Sequence, residues 1–196
     1  MLNVQILSWS ASRGGAARAA NRLFNAIQEY ESKEIKINML VNDRVSESNN
    51  LIGPKSNIQY GWNLIRRYAG IKFQELQKTN NQIFHSSSLL PSNLDYNINR
   101  NDSELINLHW VQGEMLSIKS IGRIKKPIVY TLHDSWAFLG SEHHPNGYKD
   151  KRYIEGYWKY NRSSKNRGLD IDRISWQMKK KYWKTPFHIV CPSQWM

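Results

Sequence analysis

Leu2-Asn3-Val4-Gln5-Ile6-Leu7-Ser8-Trp9-Ser10, then Ser12-Arg13-Gly14-Gly15, then Ala16-Ala17-Arg18-Ala19-Ala20-Asn21-Arg22-Leu23-Phe24-Asn25-Ala26-Ile27, is the stretch that decides the fold. The first run is short and apolar-rich, as a strand is. The alanine-rich run has high helix propensity. Its Ala16, Ala19, Ala20, Leu23, Phe24 and Ile27 recur at steps of three and four residues, which makes one apolar helix face. Strand, glycine loop and helix in that order open a βαβ unit.

The alternation continues along the chain. Ile35, Ile37, Met39 and Val41 mark a second strand, and residues 42–56, with Gly53-Pro54, form a polar loop. Residues 58–78, with Trp62, Ile65, Ala69, Phe73 and Leu76, read as a long helix. A strand over 105–108 ends in His109-Trp110, residues 115–121 are helical, and a strand over 128–132 ends in His133-Asp134. Residues 140–168 show no clean periodicity and predict a long functional or partly mobile loop, the irregular stretch covering about 139–170. A basic amphipathic helix over 171–183 and a last strand over 187–190 follow, with Cys191-Pro192-Ser193 as its turn. The fold class is therefore α/β: a Rossmann-like open, mostly parallel sheet of five or more strands, with helices on both faces. Ligands bind such sheets beyond the carboxyl ends of the strands, which predicts Gly14, His109 and His133 on one rim.

A chain of 196 residues fills one good core and is too short for two ordinary α/β domains with a cleft between them. Hydrophobic residues at 40% and charged residues at 22% are globular proportions. No run approaches the ~18 apolar residues of a membrane span, and no basic leader precedes the first apolar run, so a cytoplasmic location is expected. With Cys191 as the single cysteine, an internal disulfide and any cysteine-built metal site are excluded. The net charge of +12 is uneven, since residues 149–195 hold 12 Lys/Arg against 4 Asp/Glu. Such a stretch suits nucleic acid, an anionic membrane or a phosphorylated substrate. No zinc finger, helix-turn-helix or paired RNA-binding aromatics accompany it, so nucleic acid is not expected as a partner.

Several constellations carry possible chemistry. Gly14 and Gly15 let the backbone approach a ligand at a helix start, although no third glycine completes a dinucleotide fingerprint, and a tight turn alone is the plainer reading. Asp43, near the end of the second strand, is where a ribose contact would stand in a nucleotide-binding protein of unrelated chemistry. In His133-Asp134 an imidazole can orient a hydroxyl while the carboxylate fixes its tautomer, or the pair merely caps a turn. His109-Trp110 would lie beside it, as a ligand contact or as a satisfied histidine with a packed tryptophan. Trp136 and Phe138 either stack on a sugar face or plug the loop over the sheet edge. His133, Asp134, Glu142 and His143 follow no familiar ligand spacing, so no metal site is expected. The helix holding Trp176, Lys179-Lys180-Lys181 and Trp183 lies on an anionic bilayer or packs its aromatics on the domain.

Four ordered blocks carry a family likeness: residues 14–23; His85-Ser86-Ser87-Ser88-Leu89-Leu90-Pro91-Ser92; Asn107-Leu108-His109-Trp110 with Leu116-Ser117-Ile118; and Lys126-Pro127 through His133-Asp134-Ser135-Trp136-Ala137-Phe138. Trp176, Lys179, Lys180, Trp183 and Cys191-Pro192-Ser193-Gln194-Trp195 extend it. Together they resemble the first domain of bacterial retaining glycosyltransferases with two Rossmann domains (the GT-B fold, glycosyltransferase family 4), closest to those that build colanic acid and related exopolysaccharides. The resemblance implies transfer of a sugar from a nucleotide-sugar donor to a glycan or lipid-linked acceptor, in exopolysaccharide or lipopolysaccharide synthesis. It implies His133 and Asp134 as catalytic residues. It implies Gly14, Gly15, Arg18, His109, Trp110 and Trp136 as substrate-binding residues, with no tightly bound cofactor and no metal.

Two departures qualify what the likeness implies. Many relatives carry a cysteine cluster after the His-Asp motif, where this loop has His143, His144, Tyr148, Tyr157 and Tyr160. Relatives also continue into a second domain that clamps the donor diphosphate, so residues 1–196 are expected to be the acceptor-side domain alone, with the nucleotide-sugar-binding domain missing or separate. A peripheral position at the inner face of the plasma membrane fits a lipid-linked acceptor. The competing expectation is a truncated remnant that acts as a binding or scaffold protein through its basic face.

Overall fold

The computed structural model describes residues 1–30, 34–45, 50–147 and 151–194. Tyr148, Lys149, Trp195 and Met196 lie outside the described residues. In chain order the strands are β1 (Leu2–Ser8), β2 (Ile35–Val41), β3 (Leu51–Ile52), β4 (Gln77–Lys78), β5 (Leu105–His109), β6 (Ile128–Thr131), β7 (Arg167–Gly168) and β8 (His188–Val190). The helices are α1 (Gly15–Glu29), α2 (Asn57–Gln74), α3 (Leu94–Arg100), α4 (Ile118–Ile121), α5 (Arg152–Glu155) and α6 (Ile171–Tyr182). Six strands form a parallel sheet in the order β3-β2-β1-β5-β6-β8, and β4 with β7 forms a separate antiparallel pair. The chain builds outward from β1 to β3 and then returns to build outward from β5 to β8. The strand order therefore reverses between β1 and β5, where open α/β sheets place their ligands.

Alternate residues of each strand feed two cores. Val4 and Ile6 join Ile37, Met39, Ala20 and Phe24 beneath α1. Leu7 and Trp9 point the other way, into a larger core with Ile106, Leu108, Tyr130, Leu116 and Ile118, against which Met178 and Trp183 pack. Helices thus cover both faces, as the periodicity predicts. The sheet is Rossmann-like.

Three expectations about local structure need correction. The second helix ends at Gln74, because Gln77 and Lys78 pair with Gly168 and Arg167 instead of continuing it. The helix expected over 115–121 is confined to Ile118–Ile121, where Ser117 caps it by accepting from the Ser120 N–H. Residues 140–168 are not a loose loop among the described residues: Ser141, Glu142, His143, Arg152 and Tyr157 are buried, and α5 and β7 lie within the stretch. α2 does not pack through its apolar residues. Of its side only Gly70 is buried, while Ile58, Trp62, Ile65 and Tyr68 are exposed. Polar contacts hold it instead: Arg66 donates to the Glu114 carbonyl at 2.9 Å, and the Arg67 guanidinium sits 4.5 Å over the Trp9 ring.

α6 settles on the packing alternative. The Trp183 ring meets Tyr130, Trp136 and Phe187 edge-on, and Trp176 meets Tyr157 and Trp158. Lys179, fully inside, donates to the carbonyls of Trp136, Leu139 (3.0 Å) and Gly140 (2.7 Å) and lies 3.7 Å over the Trp136 ring. At Gly140 the loop passes so close to the start of α6 that an added Cβ would fall 2.6 Å from the Asp172 carbonyl oxygen.

Candidate functional site

An open cleft of about 410 Å³ lies at the strand-order reversal, beyond the ends of β1, β5 and β6. Its floor is the turn from β1 into α1. The Ser10 hydroxyl accepts from the N–H groups of Ser12 and Arg13 and so shapes this turn. Gly14 then adopts φ +94°, a conformation a side chain resists, and an added Cβ would meet open space. No side chain caps α1 and no acidic residue stands in its first turn, so its leading N–H groups face the cleft unmasked. Arg13 lines the same floor, 70% exposed, with its Nε 3.6 Å from Asp43 Oδ2. Asp43 is thus buried beside a guanidinium at the end of β2.

A polar relay reaches the cleft from inside the sheet. The Asn107 amide nitrogen donates to the Val129 carbonyl at 3.0 Å and the Thr131 hydroxyl at 2.9 Å, which turns its oxygen toward His109. His109 Nε2, 2.7 Å from that oxygen, must then be the protonated nitrogen. Its Nδ1, left as an acceptor, takes a hydrogen bond from His133 Nε2 at 3.0 Å. His133 is thereby held in the tautomer whose Nδ1 carries a free lone pair, and it lines the cleft. Burial, with His133 beside it, pushes His109 down to about 3. Burial also lowers His133, partly offset by the Asp134 carboxylate. Both rings are neutral near pH 7.

Asp134 has a different task. Burial alone would raise its pKa, but the His143 hydrogen bond and charge and the Trp136 N–H outweigh this and hold it below the ordinary carboxylate range. Its Oδ2 accepts from Trp110 Nε1 at 3.1 Å and His143 Nδ1 at 2.6 Å, and its Oδ1 accepts from the Trp136 N–H at 3.0 Å. The carboxylate therefore positions its neighbours. His143 is braced on its other nitrogen by Ser86 Oγ at 2.9 Å. Trp110 sits at φ 44°, a left-handed conformation that costs a non-glycine residue about 1 kcal/mol and persists where surroundings enforce it. The rings of Trp110, Phe84 and His143 lie 4.8–6.3 Å apart and make one aromatic wall.

Of the residues singled out from sequence, Gly14, Gly15, Trp110, His133 and Asp134 all line the cleft, and His109 lies directly behind His133. Two others do not. Arg18 is exposed one turn further along α1 and is not part of the lining. Trp136 is fully buried, because the Asp134 side chain captures its N–H and turns the chain inward, and its Nε1 donates to the Ser86 carbonyl at 2.8 Å. It plugs the sheet edge and cannot stack on a ligand. Phe84 and the role of His143 were missed. They meet only because the segment at His85 bridges antiparallel to Glu142, with the His143 N–H donating to the Phe84 carbonyl at 3.0 Å. No local pattern signals a contact across so many residues. Comparison with known proteins gives no matching family model, no matching curated protein and no matching solved structure.

The relay makes a pH prediction. An unfolded histidine takes up a proton near pH 6.5, whereas folded His109 resists until about pH 3. The unfolded chain then binds more protons between these values, so this contribution is whole above about pH 7 and is lost progressively as pH falls from about 6.5 toward about 3. At pH 4.5 the loss is expected to be about 3 kcal/mol relative to pH 7.5. Urea denaturation at both pH values should show that extra loss in wild type over H109Q. Equal losses would mean that His109 is not held neutral by the fold.

Proposed function

We propose that this chain is the acceptor-side domain of a retaining glycosyltransferase, moving a sugar from a nucleotide-sugar to a hydroxyl of a glycan or lipid-linked acceptor in exopolysaccharide or lipopolysaccharide synthesis. The observation that carries the proposal is the neutral His133, its tautomer set by His109 and its free nitrogen turned to an aromatic-walled cleft. An unprotonated imidazole accepts from a sugar hydroxyl without repelling a cation-like anomeric centre. Trp110 and Phe84 offer ring faces to the apolar side of a sugar. The unmasked start of α1 and Arg13 supply N–H groups and positive charge for a phosphate. In this reading His133 is the catalytic residue, and Asp134 and His109 are positioning residues. The test is release of nucleoside diphosphate from a panel of nucleotide-sugars, measured for this chain alone and for the chain joined to a second nucleotide-binding domain. No turnover by any joined form, with both parts folded, overturns the proposal.

The exposed face of α2 favours a second role, as a membrane- or partner-facing surface. Ile58, Trp62, Ile65 and Tyr68 lie outward on a chain of net charge +12. The aromatics of α6 are spent on the domain, so α2 is the better anchor. None of the described helices is long and apolar enough to cross a membrane. Co-sedimentation with anionic vesicles is expected at low salt, to weaken toward physiological salt, and to drop in a W62S/I65S double variant. Background binding at low salt sets this role aside.

A further inference from the structure

Behind the aromatic wall of the cleft lies a second cluster, made of His85, Glu142 and Asp172. One donor atom from each lies within 4.8 Å of the others. All three side chains are buried, that of His85 to 7% of its full exposure. His85 Nδ1 is 2.5 Å from the Ile83 carbonyl, so that nitrogen donates there and Nε2 is the one turned to the cluster. Nε2 has no hydrogen-bond partner and faces Asp172 Oδ1 at 3.7 Å. Glu142 Oε2 is likewise buried without a partner. The carboxylates are also held from outside: Tyr157 donates to Glu142 Oε1 at 2.6 Å, Gln77 donates to Asp172 Oδ2 at 2.7 Å, and Ser141 donates to Asp172 Oδ1.

Three electron-pair donors therefore converge, and two of their atoms, His85 Nε2 and Glu142 Oε2, are buried without a hydrogen-bond partner. A buried arrangement of this kind is unfavourable until something positive sits at its centre. Lys179 is a buried cation within electrostatic reach of Glu142 and Asp172, but its three N–H groups go to the carbonyls of Trp136, Leu139 and Gly140. We propose that His85, Glu142 and Asp172 bind one divalent transition-metal ion of the zinc class, in a site that braces the cleft wall. A backbone carbonyl on the far nitrogen of the histidine and hydrogen bonds onto the carboxylates are the outer contacts that metal ligands have. One imidazole nitrogen and two carboxylate oxygens suit zinc better than magnesium or calcium, which prefer all-oxygen shells. A zinc ion at ~2.1 Å from each would draw the donors to about 3.4 Å from one another, a contraction of at most about 1.4 Å, and leave a fourth position for water. The ion would tie together three separate pieces: the segment after β4, the loop behind His133-Asp134, and the start of α6.

The rival occupant is a proton. Burial first, and Asp172 next, push Glu142 up to about 8, so the two carboxylates can share one hydrogen instead. The experiment uses the untagged chain, stripped with dipicolinate and titrated with zinc, magnesium or cobalt(II). Expected are one zinc per chain by elemental analysis after gel filtration and no retained magnesium. Bound cobalt is expected to show the intense visible absorption of a four- or five-coordinate ion. At a free zinc concentration of ~100 times the dissociation constant the melting temperature should rise by about 5–10 °C. H85Q and E142Q should abolish all three signals. Y157F, which removes only an outer contact, should weaken zinc by roughly 10- to 100-fold. The proposal fails if stripped wild type takes up no zinc, or if H85Q and E142Q keep it. If E142Q melts at or above wild type while neither binds metal, the shared proton is the occupant. Because zinc uptake is read on wild type, a variant that does not fold leaves the test intact.

Discussion

Replacing Lys179 by alanine is expected to cost the fold about 3–5 kcal/mol, the scale for removing one partner from a buried ionic arrangement. The side chain is fully enclosed, and burial pushes its pKa down to about 7, while Glu142, Asp134 and Asp172 pull it back up. Three carbonyls accept three N–H bonds only from a charged ammonium. Alanine would leave those carbonyls unsatisfied, remove the cation under the Trp136 ring, and open a cavity between α6 and the loop that follows His133-Asp134. Methionine refills most of that volume, so K179M should recover part of the loss and leave about 2 kcal/mol that belongs to the hydrogen bonds. Against a typical total of about 5–15 kcal/mol, K179A sits near the edge of folding. Chemical denaturation of the three proteins measures this. A loss under about 1 kcal/mol for K179A would show that the cradle contributes little.

The second large effect is on chemistry. In the joined two-domain protein, H133A is expected to lower turnover about 10²-fold or more, the scale of a positioned polar group at a reacting centre. His133 lies at a rim and is only half-buried, so its loss should leave the thermal melt nearly unchanged. H109Q should act in the same direction with a smaller effect, because it keeps the ring of His133 and frees its tautomer. Wild-type turnover within a factor of about three of H133A, with both proteins folded, removes His133 from the mechanism.

The sheet and its rim were legible because strands and helices with a clear period carry their own signal. β1, α1, β2, β5 and β6 lie where alternation and the three-four step place them. β3, β4 and β7 have two residues each, too few to show any period. α2 lies where its sequence places a helix, but it turns its apolar residues outward. At the site, Gly14 and His133 could be found because each follows a recognisable strand end. Trp136 could not be placed, since the same loop position serves a ligand or a core, and only the Asp134 side chain decides between them. His85, Glu142 and Asp172 come from three distant segments and meet through an antiparallel bridge and the start of α6. Spacing along the chain holds no trace of that meeting.

The bridge between His85 and Glu142 is a pleated pair, and in a pleat neighbours point to opposite sides. Phe84 and His143 look into the cleft, while His85 and Glu142 look into the cluster behind it. One short piece of backbone is thus shared by two compartments. A shift of that backbone on filling one compartment would be carried to the other. Thermodynamic linkage makes the traffic reciprocal: the factor by which filling one compartment changes affinity in the other is the same in both directions.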